Sequence, residues 1–145
     1  MDKSIIEFVN KFHEILIEVL PEFGNPLCTK ISSRFEQFPY GCCMNTSVLL
    51  ANVLKNICNI QTQLMADDQY RHYYLEYKGY ILDLTARQLD KTLPNVLIIP
   101  ISEKPMSIDF GRTYIIKLWS FGEGTKIYEL QKRIEKELSS CPKSL

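Results

Sequence analysis

Residues 72–85, HYYLEYKGYILDLT, decide how this chain is read. Two runs rich in Tyr, Leu and Ile flank Lys78-Gly79, a dipeptide suited to a tight turn, so the pattern predicts a β-hairpin. A two-residue loop sets Tyr77 opposite Tyr80, Glu76 opposite Ile81 and Tyr74 opposite Asp83. Side chains alternate between faces along a strand. His72, Tyr74 and Glu76 therefore share a face with Ile81, Asp83 and Thr85. On that face His72 and Asp83 are diagonal neighbours, with Cβ atoms ~7 Å apart or less. A hydrogen bond between them would fix the ring and stabilise the imidazolium. A three-residue loop would break this parity.

Outward from the hairpin, residues 60–66, 96–101 (VLIIPI) and 113–118 (TYIIKL) read as further strands, the last two as buried ones. Residues 4–20 carry Ile5, Phe8, Val9, Phe12, Leu16 and Val19 at three- and four-residue steps, one face of a helix closed by Pro21 and Gly24-Asn25-Pro26. Residues 25–42 have no steady period and read mostly as loop. A second helix starts near Cys43 and is apolar on most sides, as a central buried helix would be. Residues 125–139 return to helical spacing, with Glu129–Arg133 and Lys132–Lys136 expected on a solvated outer side. Trp119 is expected in the core. Helices and strands are segregated, so the chain reads as one α+β domain over residues 1–145 with a mainly antiparallel sheet.

Composition narrows the function. Of 145 residues, 46% are hydrophobic and 23% charged, which excludes a disordered chain and a disulfide-built miniature. Lys+Arg and Asp+Glu are 17 each, so there is no excess positive charge to attract nucleic acid, and none is expected as a partner. Asp2, Lys3, Glu7, Lys11, Glu14 and Glu18 interrupt the apolar residues of the N-terminal segment, so neither a signal peptide nor a membrane span is expected. The five cysteines, Cys28, Cys42, Cys43, Cys58 and Cys141, are odd in number and form no Cys-x-x-Cys pair. A reducing, cytoplasmic location fits them best, and any export would use a route other than a classical signal.

Cys43 stands where a Pro/Gly loop (Phe38-Pro39-Tyr40-Gly41) meets the apolar helix. The positive end of a helix dipole favours a thiolate, and a nearby imidazolium favours it further. Cysteine at a helix start with a histidine and an acid on adjacent strands is the arrangement of papain-like thiol enzymes. Each piece also has a plainer reading. A cysteine in an apolar helix is commonly a small buried hydrophobe, and Asp83 can cap the turn after its strand. A metal site built on Cys42, Cys43 and His72 is disfavoured because successive side chains diverge; neither metal nor cofactor is expected.

Two segments resemble a known superfamily. FPYGCCMNTSVLLANVLK (38–55) is similar to a segment of small bacterial and phage proteins of the papain-like, transglutaminase-like class, where Phe-Pro-x-Gly-x-Cys-Gly-Asp-x-Ser precedes a leucine-rich helix. RHYYLEYKGYILDLTARQL (71–89) resembles their partner segment: His-x-Trp-Leu-Glu, a turn glycine, then Ile-x-Asp-Leu/Ile-Thr-x-x-Gln. The resemblance covers about residues 35–89. It implies a catalytic helix packed on a mainly antiparallel sheet with flanking helices. It also implies Cys43, rather than Cys42, as nucleophile, His72 as general base and Asp83 as the residue orienting it. Gln37, six residues before Cys43, matches the position where such enzymes often carry an oxyanion-hole glutamine. Gln88 matches the trailing glutamine of the second motif, and Tyr74 and Gln88 are expected to line the cleft. Met44-Asn45 replaces the family's Gly-Asp and Tyr74 its Trp; the change from glycine to Met44 adds bulk beside the thiol.

The function so implied is a cysteine-dependent hydrolase or amidotransferase acting on an amide or acyl bond of a protein or peptide substrate. Peptidases and effectors that deamidate glutamine share that machinery. The competing reading is a binding module or inhibitor that keeps the fold without the activity. Oligomeric state has no signal in the sequence.

Overall fold

The computed structural model describes residues 1–27, 38, 41–69 and 71–139. Helix α1 spans Lys3–Val19. It starts where the Asp2 carboxylate accepts from the Ser4 N–H (2.8 Å) and hydroxyl (2.7 Å), a capping arrangement that satisfies an otherwise orphaned first-turn donor. Its buried stripe is Ile5, Val9, Phe12, Leu16 and Val19. A short 3-10 turn, Leu20–Phe23, follows and ends at Gly24 in the left-handed region (φ 66°), a conformation glycine adopts without steric cost.

Helix α2 spans Cys43–Cys58. Val48, Leu49, Leu50, Ala51, Val53 and Leu54 are all buried, so the helix is wrapped on more than one side, as its apolar sequence requires. Asn59 stops it in the left-handed conformation (φ 55°), its N–H turned back to the Leu54 and Lys55 carbonyls.

Five strands make one antiparallel sheet: β1 Gln63–Asp67, β2 Tyr73–Tyr77, β3 Tyr80–Asp83, β4 Leu97–Pro100 and β5 Thr113–Ile116, in the order β4-β3-β2-β1-β5. The β2–β3 hairpin turns through Lys78 (φ 47°) and Gly79 (φ 81°). Two successive positive φ values mark the turn whose twist matches that of paired strands. The register is the one expected from a two-residue loop: Tyr77 opposite Tyr80, Glu76 opposite Ile81 and Leu75 opposite Leu82.

One face of the sheet, through Leu64, Leu75 and Leu82, joins α1, α2 and α3 (Lys126–Ser139) in a single core. Leu130, Ile134 and Leu138 supply the contribution of α3. The other face carries a smaller cluster, Met65, Tyr74 and Ile81, with Ile99 against it. The architecture is therefore α+β, with a five-stranded antiparallel sheet and three α-helices among the described residues. None of the described helices is long and apolar enough to cross a membrane.

Three expectations need correction. The TYII strand is not buried: among the described residues β5 is a sheet edge paired with β1 alone, and Tyr114 and Ile115 are 41% and 63% exposed. Trp119 is not a core residue either. At 36% exposed it borders a cavity with Asn52, Lys55, Thr62 and Leu118. On α3, Arg133 bonds to Glu22 (2.6 Å) and Glu137 (3.1 Å) rather than Glu129. The side chain meets an acid in the 3-10 turn after α1, a partner that helical spacing alone does not show. Most of the 25–42 segment lies outside the described residues.

Candidate active site

Asp83 ends β3, and His72 immediately precedes β2. The hairpin register makes them diagonal neighbours, and their side chains meet: His72 Nε2 is 2.6 Å from Asp83 Oδ2, and both residues are almost wholly buried. The other carboxylate oxygen accepts from the Thr85 N–H (2.9 Å) and hydroxyl (3.3 Å). Both oxygens are thereby used, which is what a carboxylate removed from water requires.

The backbone of His72 is held separately. Asp67, at the end of β1, is 2% exposed. Its Oδ1 accepts from the Arg71 and His72 N–H groups (2.7 and 3.0 Å), and its Oδ2 from the Gln69 N–H and Arg71 Nε (3.1 and 3.2 Å). Burial opposes ionisation of this carboxyl, but the donors from His72, Gln69 and Arg71 outweigh it and hold it below the usual carboxylate range.

Cys43 is the first residue of α2, half-buried, while Cys42 at the N-cap is fully buried in the core. Successive residues at the helix start thus present one sulfur to the interior and the other to the site. The Cys43 sulfur lies where the His72 ring, the Gln88 side chain and the Tyr73 backbone all bear on its ionisation. One turn further along α2, the Ser47 hydroxyl donates to the Tyr73 carbonyl (3.3 Å), tying the helix to the strand that follows His72.

These contacts set the charges. Burial alone pushes the Cys43 thiol up, but the hydrogen bond and positive charge of His72, with help from Gln88 and the Tyr73 backbone, bring it below its ordinary value. Burial likewise works against a charged His72, and the charge and hydrogen bond of Asp83, then those of Cys43, reverse it and raise the ring to about 10. Both shifts favour a thiolate facing an imidazolium. Cys58 behaves oppositely: burial with no compensating charge pushes its thiol to about 11.

Gln88 lies on the 3-10 turn Ala86–Gln88 after β3. The Gly41 N–H donates to its Oε1 (3.1 Å), which turns its amide nitrogen toward His72 Nδ1 (3.2 Å). Tyr74, expected to line a cleft, is instead 3% exposed. Its ring stacks on His72 with centroids 6.0 Å apart and planes 25° apart. Lys104 reaches over that ring (4.7 Å) and donates to its hydroxyl (3.1 Å). Tyr74 therefore supports the imidazole from its flank. Gln37 lies outside the described residues.

Asp67 lies outside both motifs, while Ser47 and Thr85 occupy motif positions for which the sequence suggests no site role. Asp67 opens the polar run Asp67-Asp68-Gln69, and an Asp that starts a turn commonly accepts the N–H two residues on. Thr85 stands two residues after Asp83 in the same relation. Those local signals are present in the sequence; the reach of Asp67 to His72 is not. Among the described residues, no cluster of His, Cys, Asp or Glu is placed to hold a metal ion. Comparisons with protein-family models, curated proteins and solved structures find no match to this chain.

Proposed function

We propose that the chain is a papain-like, transglutaminase-like thiol enzyme that acts on an amide or acyl bond of a protein or peptide. The observation carrying this reading is the division of labour on one ring: Nε2 of His72 is bound to the buried Asp83 carboxylate at 2.6 Å, and the same ring acts on the sulfur at the start of α2 and lowers the thiol. A histidine serving only the core has no need of a half-buried thiol as its second partner.

The chemistry follows from that arrangement. The Cys43 thiolate attacks a carbonyl carbon, forming a C–S bond and moving the carbonyl π pair onto oxygen. First-turn N–H groups of α2, which have no partner within the helix, face the developing negative charge. Collapse of this intermediate breaks the C–N bond, and the His72 imidazolium protonates the departing nitrogen. Water then attacks the thioester, gives one proton to His72, and collapse of the second intermediate breaks the C–S bond, releasing the acid and restoring the Cys43 thiolate beside the imidazolium. A peptide bond yields a free amine, a glutamine side chain yields ammonia, and an amine replacing water gives transamidation.

The test is incubation of the full chain with glutamine-containing proteins and peptides, followed by intact mass and ammonia release. Activity appears as cleavage products or as a gain of about 1 Da per amide converted, and it disappears in Cys43→Ala. If Cys43 alkylates no faster than Cys28, Cys58 and Cys141 at about pH 6, the binding-module reading replaces this one.

A further inference from the structure

The sulfur has a second side-chain partner that the acid–base pair does not explain. Gln88 comes from the turn after β3, while Gly41 comes from the loop that leads into α2. The Gly41 N–H can only donate, so the atom 3.1 Å from it must be the Gln88 oxygen. That fixes the flip of the carboxamide. Its NH2 group, which only donates, then lies 3.2 Å from His72 Nδ1, the ring nitrogen not used by Asp83, and its influence on the Cys43 thiol is to lower it.

This placement means different things in the two protonation states. With His72 neutral, Nε2–H donates to Asp83 and Nδ1 is an acceptor, so the Gln88 amide binds the same lone pair that would receive the thiol proton. With His72 charged, Nδ1–H and the Gln88 N–H groups are neighbouring donors. Two donors side by side need a shared acceptor, and the thiolate is that acceptor. The amide therefore gains most when the sulfur is ionised.

Resting on the thiol-enzyme reading above, we propose that Gln88 is a second donor to the Cys43 thiolate, held in one orientation by the Gly41 N–H so that imidazole and carboxamide converge on the sulfur. No bond is made or broken by Gln88; it supplies N–H donors to an anion and to no other end.

The experiment follows the alkylation rate of Cys43 by iodoacetamide in the full chain as a function of pH, read by mass, for the wild type, Gln88→Ala and Gln88→Glu. In the wild type the rate inflects below the ordinary thiol value of 9.0. Gln88→Ala removes the donor, and the inflection is expected to rise by about half to one pH unit, a roughly three- to tenfold loss of thiolate on the low side. Gln88→Glu keeps the size and the acceptor for Gly41 N–H but replaces the donor by an acceptor. It is expected to raise the inflection at least as far, and it decides between the outcomes if the alanine variant loses its far-UV circular dichroism. A low wild-type inflection that neither folded variant moves overturns the role of Gln88 alone. An ordinary inflection in the wild type overturns the thiol-enzyme reading, and this proposal with it.

Discussion

His72 and Asp83 face each other at 2.6 Å across the β2–β3 hairpin, each side chain about 1% exposed. An imidazole and a carboxylate so far from water are stable only as partners, because either alone would be a buried polar group without compensation. The contact follows from register: a two-residue turn through Lys78 and Gly79 places the two on one face and one diagonal.

Asp83→Asn keeps the shape and removes the charge. The His72 value in the folded chain lies at about 10, above its ordinary 6.5. A group raised in this way contributes stability that is fully present below the lower value and is lost as pH rises through the higher one. Urea unfolding should therefore show the variant less stable than the wild type by about 1–3 kcal/mol near pH 6. The gap should narrow as pH approaches 10. Turnover of any cleavable amide should fall roughly a hundred- to ten-thousandfold.

Asp67 carries the opposite sign. Its carboxyl lies below the usual 3.8 in the folded chain, so its contribution is present above that value and is lost as pH falls through the folded one. Asp67→Ala leaves the N–H groups of Gln69, Arg71 and His72 without their acceptor. The expected cost is about 1–3 kcal/mol by denaturant titration. Because the backbone of His72 is freed, the low-pH alkylation rate of Cys43 should drop as well, by roughly tenfold.

The hairpin turn offers a test of register itself. Gly79 has φ +81° and open space where a Cβ would stand, so Gly79→Ala is strained by its backbone and not by collision. A loss of about 1 kcal/mol in thermal or chemical unfolding is expected. Lys78→Asn suits the left-handed conformation better and should stabilise by a few tenths of a kcal/mol. One glycine inserted between the two changes the facing of β3 relative to β2, and fast Cys43 alkylation should disappear.

The sequence carried the hairpin, the helix start at Cys43 and the face shared by His72 and Asp83, because strand and helix periods are local properties. Gln88 was legible as a position but not as a partner of Gly41, since that contact joins loops 47 residues apart in the chain. For Tyr74 the sequence indicates the right face and the wrong depth: alternation gives a side, while Met65, Ile81 and Ile99 pack around it and Lys104 reaches over the ring. The exposure of Ile115 was hidden for the same reason, as an apolar run does not say whether its strand is central or at an edge.

The central claim is that His72 holds the Cys43 sulfur as a thiolate. The most direct measurement is the pH dependence of Cys43 alkylation in the full chain and in His72→Ala. The predicted result is an inflection below 9.0 in the wild type that returns to about 9.0 or higher when the imidazole is removed. One curve shared by both proteins, inflecting at the ordinary thiol value, would contradict it.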